Sequence, residues 1–215
     1  MGKRSLLAAL LVPLATALAP RRVLITGANK GIGRQLARRI VQDYPDVHVL
    51  LGARSTALGE KAVQEILAEV PDAKIETLQI DVSSEESVNT LDVNTYGPKR
   101  VCDAFIPLLD PEVGRVCNIA SASGPNFVRG LSPEQQNFFT SPETTWEELD
   151  AVLKQYAAAP DYEGVAYGLS KASLNLLTMI QAAAHPNLQI NSCSPGYILT
   201  DITRGMGASS APEDS

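Results

Sequence analysis

The sequence has little cysteine: three residues in 215, Cys102, Cys117 and Cys193. An odd set with no metal-ligand spacing excludes a disulfide framework and a structural zinc site. The expectation for all three is burial as small hydrophobes. No excess of positive charge exists either, because 18 Lys and Arg face 24 Asp and Glu for a net charge of -6. That balance excludes general nucleic-acid affinity and leaves room only for a local basic pocket suited to a phosphorylated small molecule. Low-complexity runs and solenoid-period repeats are missing, and 15 glycines with 14 prolines are close to background. What remains is an ordinary globular composition, 45% hydrophobic and 20% charged, long enough for one domain with a proper core.

Residues 1–20 stand apart as a leader. Lys3 and Arg4 precede an apolar stretch from Leu6 to Leu18 that is broken only by Pro13 and Thr16. The stretch is too short to span a bilayer comfortably, and its small-residue end, Ala15-Thr16-Ala17, suits a signal-peptide cleavage site. The same residues through Pro20 resemble the leader motif of complex plastids, and a retained anchor is the third reading. Secretory pathway, plastid and membrane association are therefore open, with the cytoplasm as the location if the leader has no function. Membrane contact is expected only through this segment.

From residue 21 onward strands and helices alternate. Val23–Thr26 reads as a β-rich run ending at Gly27, followed by a helix from about Gly31 to Asp43 that Pro45 punctuates. Val47–Leu51 is a second strand, Ala57–Val70 a second helix stopped by Pro71, and Lys74–Ile80 a third strand. Ser83-Ser84-Glu85-Glu86 looks like a capping box opening a long helical region to Leu109. Val113–Ile119 is the next strand, Gly164–Ala184 a helix, and Leu188–Ser192 the last strand. Alternating units of this kind specify an α/β, doubly wound, Rossmann-type parallel sheet with right-handed crossovers. Residues 21–215 form one domain, with a helical insertion at about 125–164.

Two patterns carry chemistry. The first strand runs into Thr26-Gly27-Ala28-Asn29-Lys30-Gly31-Ile32-Gly33. Glycines at this spacing allow a tight turn, close backbone approach to a pyrophosphate and close helix–strand packing, with helix N–H groups facing the phosphates. The second strand ends Gly52-Ala53-Arg54, without the acid that would bind a ribose 2′-hydroxyl. Arg54, helped by Lys30, suits a 2′-phosphate, so NADP(H) is expected over NAD(H). Further on, Tyr167 and Lys171 stand at i and i+4 of a helix, on one face. A cation there stabilises a phenolate and makes tyrosine a usable acid.

Together with Asn94, Ser121 and Ser194-Pro195-Gly196, these segments resemble the short-chain dehydrogenases/reductases, and within them the monomeric NADPH-dependent carbonyl reductases. The likeness runs from about Arg22 to Thr203. It implies hydride transfer between NADPH and a ketone, aldehyde or quinone carbonyl. Tyr167 would protonate the carbonyl oxygen, Lys171 would hold the nicotinamide ribose, Ser121 would hydrogen-bond the substrate, and Asn94 would anchor a proton-relay water. Gly27, Asn29, Lys30, Gly31, Ile32, Gly33 and Arg54 would line the cofactor site. Asp81 and Val82 match the adenine-binding pair, and Pro195, Gly196, Ile198 and Thr200 match the residues that contact the carboxamide and phosphates. No metal is implied. The partner is a small carbonyl compound, and the insertion, by covering the helix surface other members use for tetramers, implies a monomer.

Two departures from that pattern stand out. Only twelve residues separate Asp81 from Asn94. The family carries there a helix, a central strand with an Asn-Asn-Ala-Gly loop, and the start of the next helix. Family members also continue beyond the position of Ser215 through a substrate-covering helix and a final strand. With the central strand gone, Val113–Ile119 must either pair with Val23–Thr26 or leave two rows of backbone donors and acceptors unpaired. The alternative function is therefore a catalytically inactive dinucleotide binder or a truncated, non-functional family member.

Overall fold

The computed structural model describes residues 21–82, 90–201, 203–208 and 210–211. The leader and the Ser83–Glu86 capping box lie outside these residues. Strand β1 (Arg22–Ile25), helix α1 (Gly31–Asp43), β2 (His48–Ala53), α2 (Thr56–Glu69) and β3 (Ile75–Gln79) follow in order. They make a parallel three-stranded sheet in which β2 is central. Val49, Leu51 and Ala53 of β2 are fully buried, as expected of a strand flanked on both edges. Ser55 caps α2 by accepting from the Leu58 N–H at 3.4 Å.

From Thr90 to Leu108 the chain is helical, but not as one α-helix. A π-helical turn (Asp92–Tyr96) leads into α3 (Gly97–Phe105) and a 3-10 turn (Ile106–Leu108). The Gly97 N–H reaches back to the Asp92 carbonyl, one residue further than in an α-helix. Pro98, next in line, has no N–H to donate, so the regular ladder cannot close there. Strand β4 (Arg115–Ile119) follows, then α4 (Ser123–Arg129), α5 (Pro133–Thr140), α6 (Trp146–Ala157), α7 (Tyr162–Ala184) and β5 (Gln189–Cys193). Both α5 and α6 start on full capping boxes, Ser132 with Gln135 and Thr145 with Glu148. Phe139, Leu149 and Leu153 of this helical stretch are buried against Leu169, Ala172 and Leu176 of α7, with Leu131, Phe138, Trp146 and Val152 packed around them. No described helix is long and apolar enough to cross a membrane.

The sheet is in two pieces. Among the described residues, strand β4 pairs with β5 alone, in parallel, and β1 pairs with β2 alone, so the β1–β4 pairing open to this sequence is not made. The apolar core is divided in the same way. One cluster lies among β1–β3, α1 and α2; a second centres on α7 with α4–α6; a small third joins Cys102, Ile106 and Ile190. A single domain ordinarily has one contiguous core. The missing strand is where that continuity is lost.

Parallel pairing fixes which groups are left over. The His48 N–H donates to the Arg21 carbonyl at 2.8 Å, so Arg21, Val23 and Ile25 turn their polar groups to β2, while Arg22 and Leu24 turn theirs away. By the same alternation Arg115, Cys117 and Ile119 turn away from β5. Two bare edges can persist because they stay wet: Leu24 is only half-buried and Ile119 is 42% exposed. The expected burial of the cysteines fails on this account. Cys102 is buried, but Cys117 and Cys193 are exposed, because α7 covers only one face of β4 and β5 and both thiols lie on the other.

Hydrogen exchange tests this architecture. The amides of Val23 and Ile25, which donate to β2, should exchange slowly, and those of Arg22 and Leu24 distinctly faster. Equal protection at all four positions would mean that a further strand covers β1.

Candidate functional site

The carboxyl ends of β1, β2 and β3 point the same way, so Gly27, Arg54 and Asp81 gather at one edge of the sheet. The turn after β1 depends on glycine at two positions, Gly27 at φ 63° and Gly31 at φ 57°. Gly33 has another role: a β-carbon there would sit 2.8 Å from the Gly27 carbonyl oxygen. The helix therefore starts hard against the turn. Asn29 and Ile32 are half-buried within it. The N-cap of α1, Lys30, offers no side-chain bond, and the first helical turn holds no acid. Its N–H groups are thus presented to an anion, with the helix dipole behind them. A dinucleotide pyrophosphate fits this cradle.

The flanking cations are less committed. Arg54 is exposed at the end of β2, and its carbonyl accepts from the Gln79 amide at 3.3 Å. Lys30 lies 3.8 Å from Asp201, both side chains about 60% exposed, and such a pair holds a cation only loosely. Asp81 is exposed and Val82 half-buried, and the Val82 carbonyl accepts from Arg100.

The loop after β5 closes on the same turn. Gly196 has φ 92°, Pro195 is half-buried and Ile198 is buried. The Thr203 hydroxyl donates to the Ile198 carbonyl at 2.6 Å and accepts from the Thr200 N–H at 2.8 Å. Thr200 lies against Gly31, 3.5 Å from where a β-carbon would be. Between the two segments is a cleft of about 500 Å³, lined by Gly31, Arg34, Thr200 and Arg204 among others. Ser121, Asn94 and Tyr167 do not line it.

Those residues meet instead on α7. Lys171 lies 5.9 Å from the centre of the Tyr167 ring, and Tyr167 is 52% exposed. The Lys171 ammonium donates to the Ile119 carbonyl at 2.9 Å, and burial holds its pKa below the usual lysine value. That carbonyl is one of those turned away from β5, so Lys171 serves a group which a missing strand would otherwise have paired. Two of its three N–H donors stay available. Ser121, two residues past β4, accepts from the Ser123 N–H at 3.2 Å. Asn94 reaches α7 one residue before Lys171, donating to the Ser170 hydroxyl at 3.2 Å, while Thr95 donates to the Ser170 carbonyl at 3.1 Å. The turn carrying Asn94 is anchored from outside by the Tyr96 hydroxyl, which donates to Asp150 at 2.8 Å. Burial first, and that bond second, push the Tyr96 pKa up.

Sequence reasoning gave no role to Ser170, Gly124 or Gly168. Ser170 is fully buried and ties Asn94 to the helix, donating to the Tyr167 carbonyl at 2.8 Å. A β-carbon on Gly124 would sit 2.8 Å from the Ala172 nitrogen, and one on Gly168 would sit 2.9 Å from the Phe127 β-carbon. The two glycines let α4, which begins two residues after Ser121, cross α7 closely. The available signal was two small residues flanking each predicted site element, and without the crossing it had no meaning.

Comparison with known proteins follows the same lines. Residues 21–91 match the family model described as short chain dehydrogenase. Carbonyl reductase (NADPH) 1 of Macaca fascicularis is 28% identical, over 90% of this chain and 87% of that protein. The (+)-neomenthol dehydrogenase of Arabidopsis thaliana is 26% identical, over 90% of this chain and 88% of that protein. The structure of salutaridine reductase from Papaver somniferum superposes with a TM-score of 0.76 at 21% identity, covering 90% of this chain and 92% of that one. The macaque alignment runs over 246 positions, more than the 215 residues of the whole chain, so the relative holds stretches that this chain lacks.

A single methyl group tests the cradle. Gly33→Ala should lower the unfolding free energy by about 1–3 kcal/mol, through overpacking against a carbonyl that cannot swing aside. Urea unfolding indistinguishable from the unmodified protein would show that the turn and helix are not in contact.

Proposed function

Since the chain belongs to the short-chain dehydrogenase family and is similar to carbonyl reductases, we propose that it is an NADPH-dependent oxidoreductase acting on a small ketone, aldehyde or quinone. The observation that carries the reading is the Tyr167–Lys171 pair on one face of α7, with α4, which begins two residues after Ser121, crossing the same helix at Gly124 and Gly168. NADPH, when bound, supplies the hydride. Gly27, Asn29, Gly31, Ile32 and Gly33 would receive the pyrophosphate at the start of α1, with Asp81 and Val82 toward the adenine. Pro195, Gly196, Ile198 and Thr200 would close over the other end.

Arg54 would meet the 2′-phosphate, and Lys30, loosely held by Asp201, is free to join it. The Tyr167 hydroxyl donates a proton to the substrate oxygen while Ser121 hydrogen-bonds the same atom. Lys171 uses the donors not spent on Ile119 to hold the ribose and to favour the phenolate. Asn94, fixed through Ser170, would anchor a proton-relay water. A second reading, a dinucleotide binder without turnover, is favoured by one feature, the bare edges of β1 and β4.

Tyr167→Phe keeps the ring and removes only the acid. General acid catalysis is worth roughly 10²–10⁴ in rate, so turnover should fall by that order while NADPH affinity stays nearly unchanged. Retained turnover in the variant would exclude this mechanism. Saturable NADPH binding with no turnover of any ketone or quinone, in the unmodified chain, would establish the second reading.

The proposal also treats the chain as acting alone, because α4, α5 and α6 lie over α7. Light scattering should then give a monomer mass. A stable tetramer would refute the covered-helix argument, whereas a dimer would point to pairing of the bare edges.

A further inference from the structure

Strands β4 and β5 place two thiols side by side on an open face. Cys117 stands opposite Asn191, and Cys193 opposite Ile119, so the cysteines are diagonal neighbours on adjacent strands. Asn118 marks the other face, donating into α7 at Thr178, 2.9 Å away, and at Gln181, 3.3 Å away. Cys117, Ile119 and Cys193 therefore lie on the face away from α7, and all three are exposed. The Cys117 S–H donates to the Cys193 sulfur across 3.5 Å. A disulfide needs about 2.05 Å between sulfurs, so closing the link takes rotation of both side chains together with a shift of the backbone at Cys193, the last residue of β5.

We propose that Cys117 and Cys193 are a reversible redox pair, oxidised to an intrachain disulfide by a peroxide and restored by a dithiol. The chemistry balances in two steps. The Cys193 sulfur attacks one peroxide oxygen, giving a sulfenic acid and one water. The Cys117 sulfur then attacks that sulfenic sulfur, the S–S bond forms, and the departing hydroxide leaves as a second water with the Cys117 proton.

Desolvation by its neighbours, with the adjacent thiol adding to it, pushes the Cys117 pKa up to about 11, so Cys117 is a slow attacker of peroxide at neutral pH. Cys102 cannot compete, being buried beside Ile106. A metal is the poorer occupant, since no group of three potential ligands exists among the described residues. The link would tie β4 to β5 just before Ser121 and Pro195. It would thus clamp together the two strands that deliver the substrate end of the proposed site, whether or not the chain turns substrate over.

Peptide mapping of the full chain tests the proposal. After hydrogen peroxide treatment and tryptic digestion without reductant, peptide 116–129 should be joined to peptide 172–204, lighter than the reduced pair by two hydrogens. One free thiol of the three, Cys102, should survive, and dithiothreitol should restore the other two. Cys117→Ser and Cys193→Ser should each lose the linked peptide. Oxidation of Cys102 at the same rate, conversion of both exposed thiols to sulfinic acids without a link, or a link found only between two chains would each overturn it. The map of the unmodified chain decides the matter even if a serine variant fails to fold.

Discussion

A strand inside a parallel sheet must satisfy two rows of backbone groups, and the described residues supply strands for only one row of β1 and one row of β4. Much of the structure follows from that shortfall. The sheet divides and the core divides with it. The carbonyl of Ile119 finds a partner in Lys171, the residue on which the proposed chemistry most depends. A lysine with three donors can serve both demands. Its buried position nevertheless lowers its pKa and draws it toward the sheet.

Helix α7 compensates for part of what the sheet has lost. Over 23 residues it packs against α4–α6 on one side and β5 on another, and it collects Asn94 and Thr95 at Ser170. The functional face is thus organised by helix–helix packing in the second half and by a glycine turn in the first. Contact between the halves near the cleft rests on Thr200 against Gly31 and on the exposed Lys30–Asp201 pair. Neither contributes much to stability. A dinucleotide lying across both halves would add to these contacts.

Local chemistry was legible in the sequence; partnership between strands was not. Pro45, Pro71 and Pro186 bound three helices to within a residue or two. The glycine spacing after β1 placed the turn, and the i, i+4 relation placed Tyr167 and Lys171 on one face. The last strand was read one residue early. Cys193 therefore fell just outside the expected strand, and the pairing of β4 with β5 that sets it beside Cys117 was out of reach. The π-helical turn depends on Pro98 acting at a distance from the site, and the Lys171–Ile119 bond depends on an edge that only the assembled sheet leaves open. The Gly124–Gly168 crossing likewise needs two helices to be seen together.

A dinucleotide site across the carboxyl ends of the strands would survive the shortfall of one strand. Fluorescence titration of the purified full chain with NADPH, repeated with NADH and with Arg54→Asp, decides it. Saturable NADPH binding that weakens by about tenfold or more with NADH or with the variant is the expected result, as the loss of a charge-assisted contact to the 2′-phosphate. Absence of binding, or tighter binding of NADH, would contradict the account.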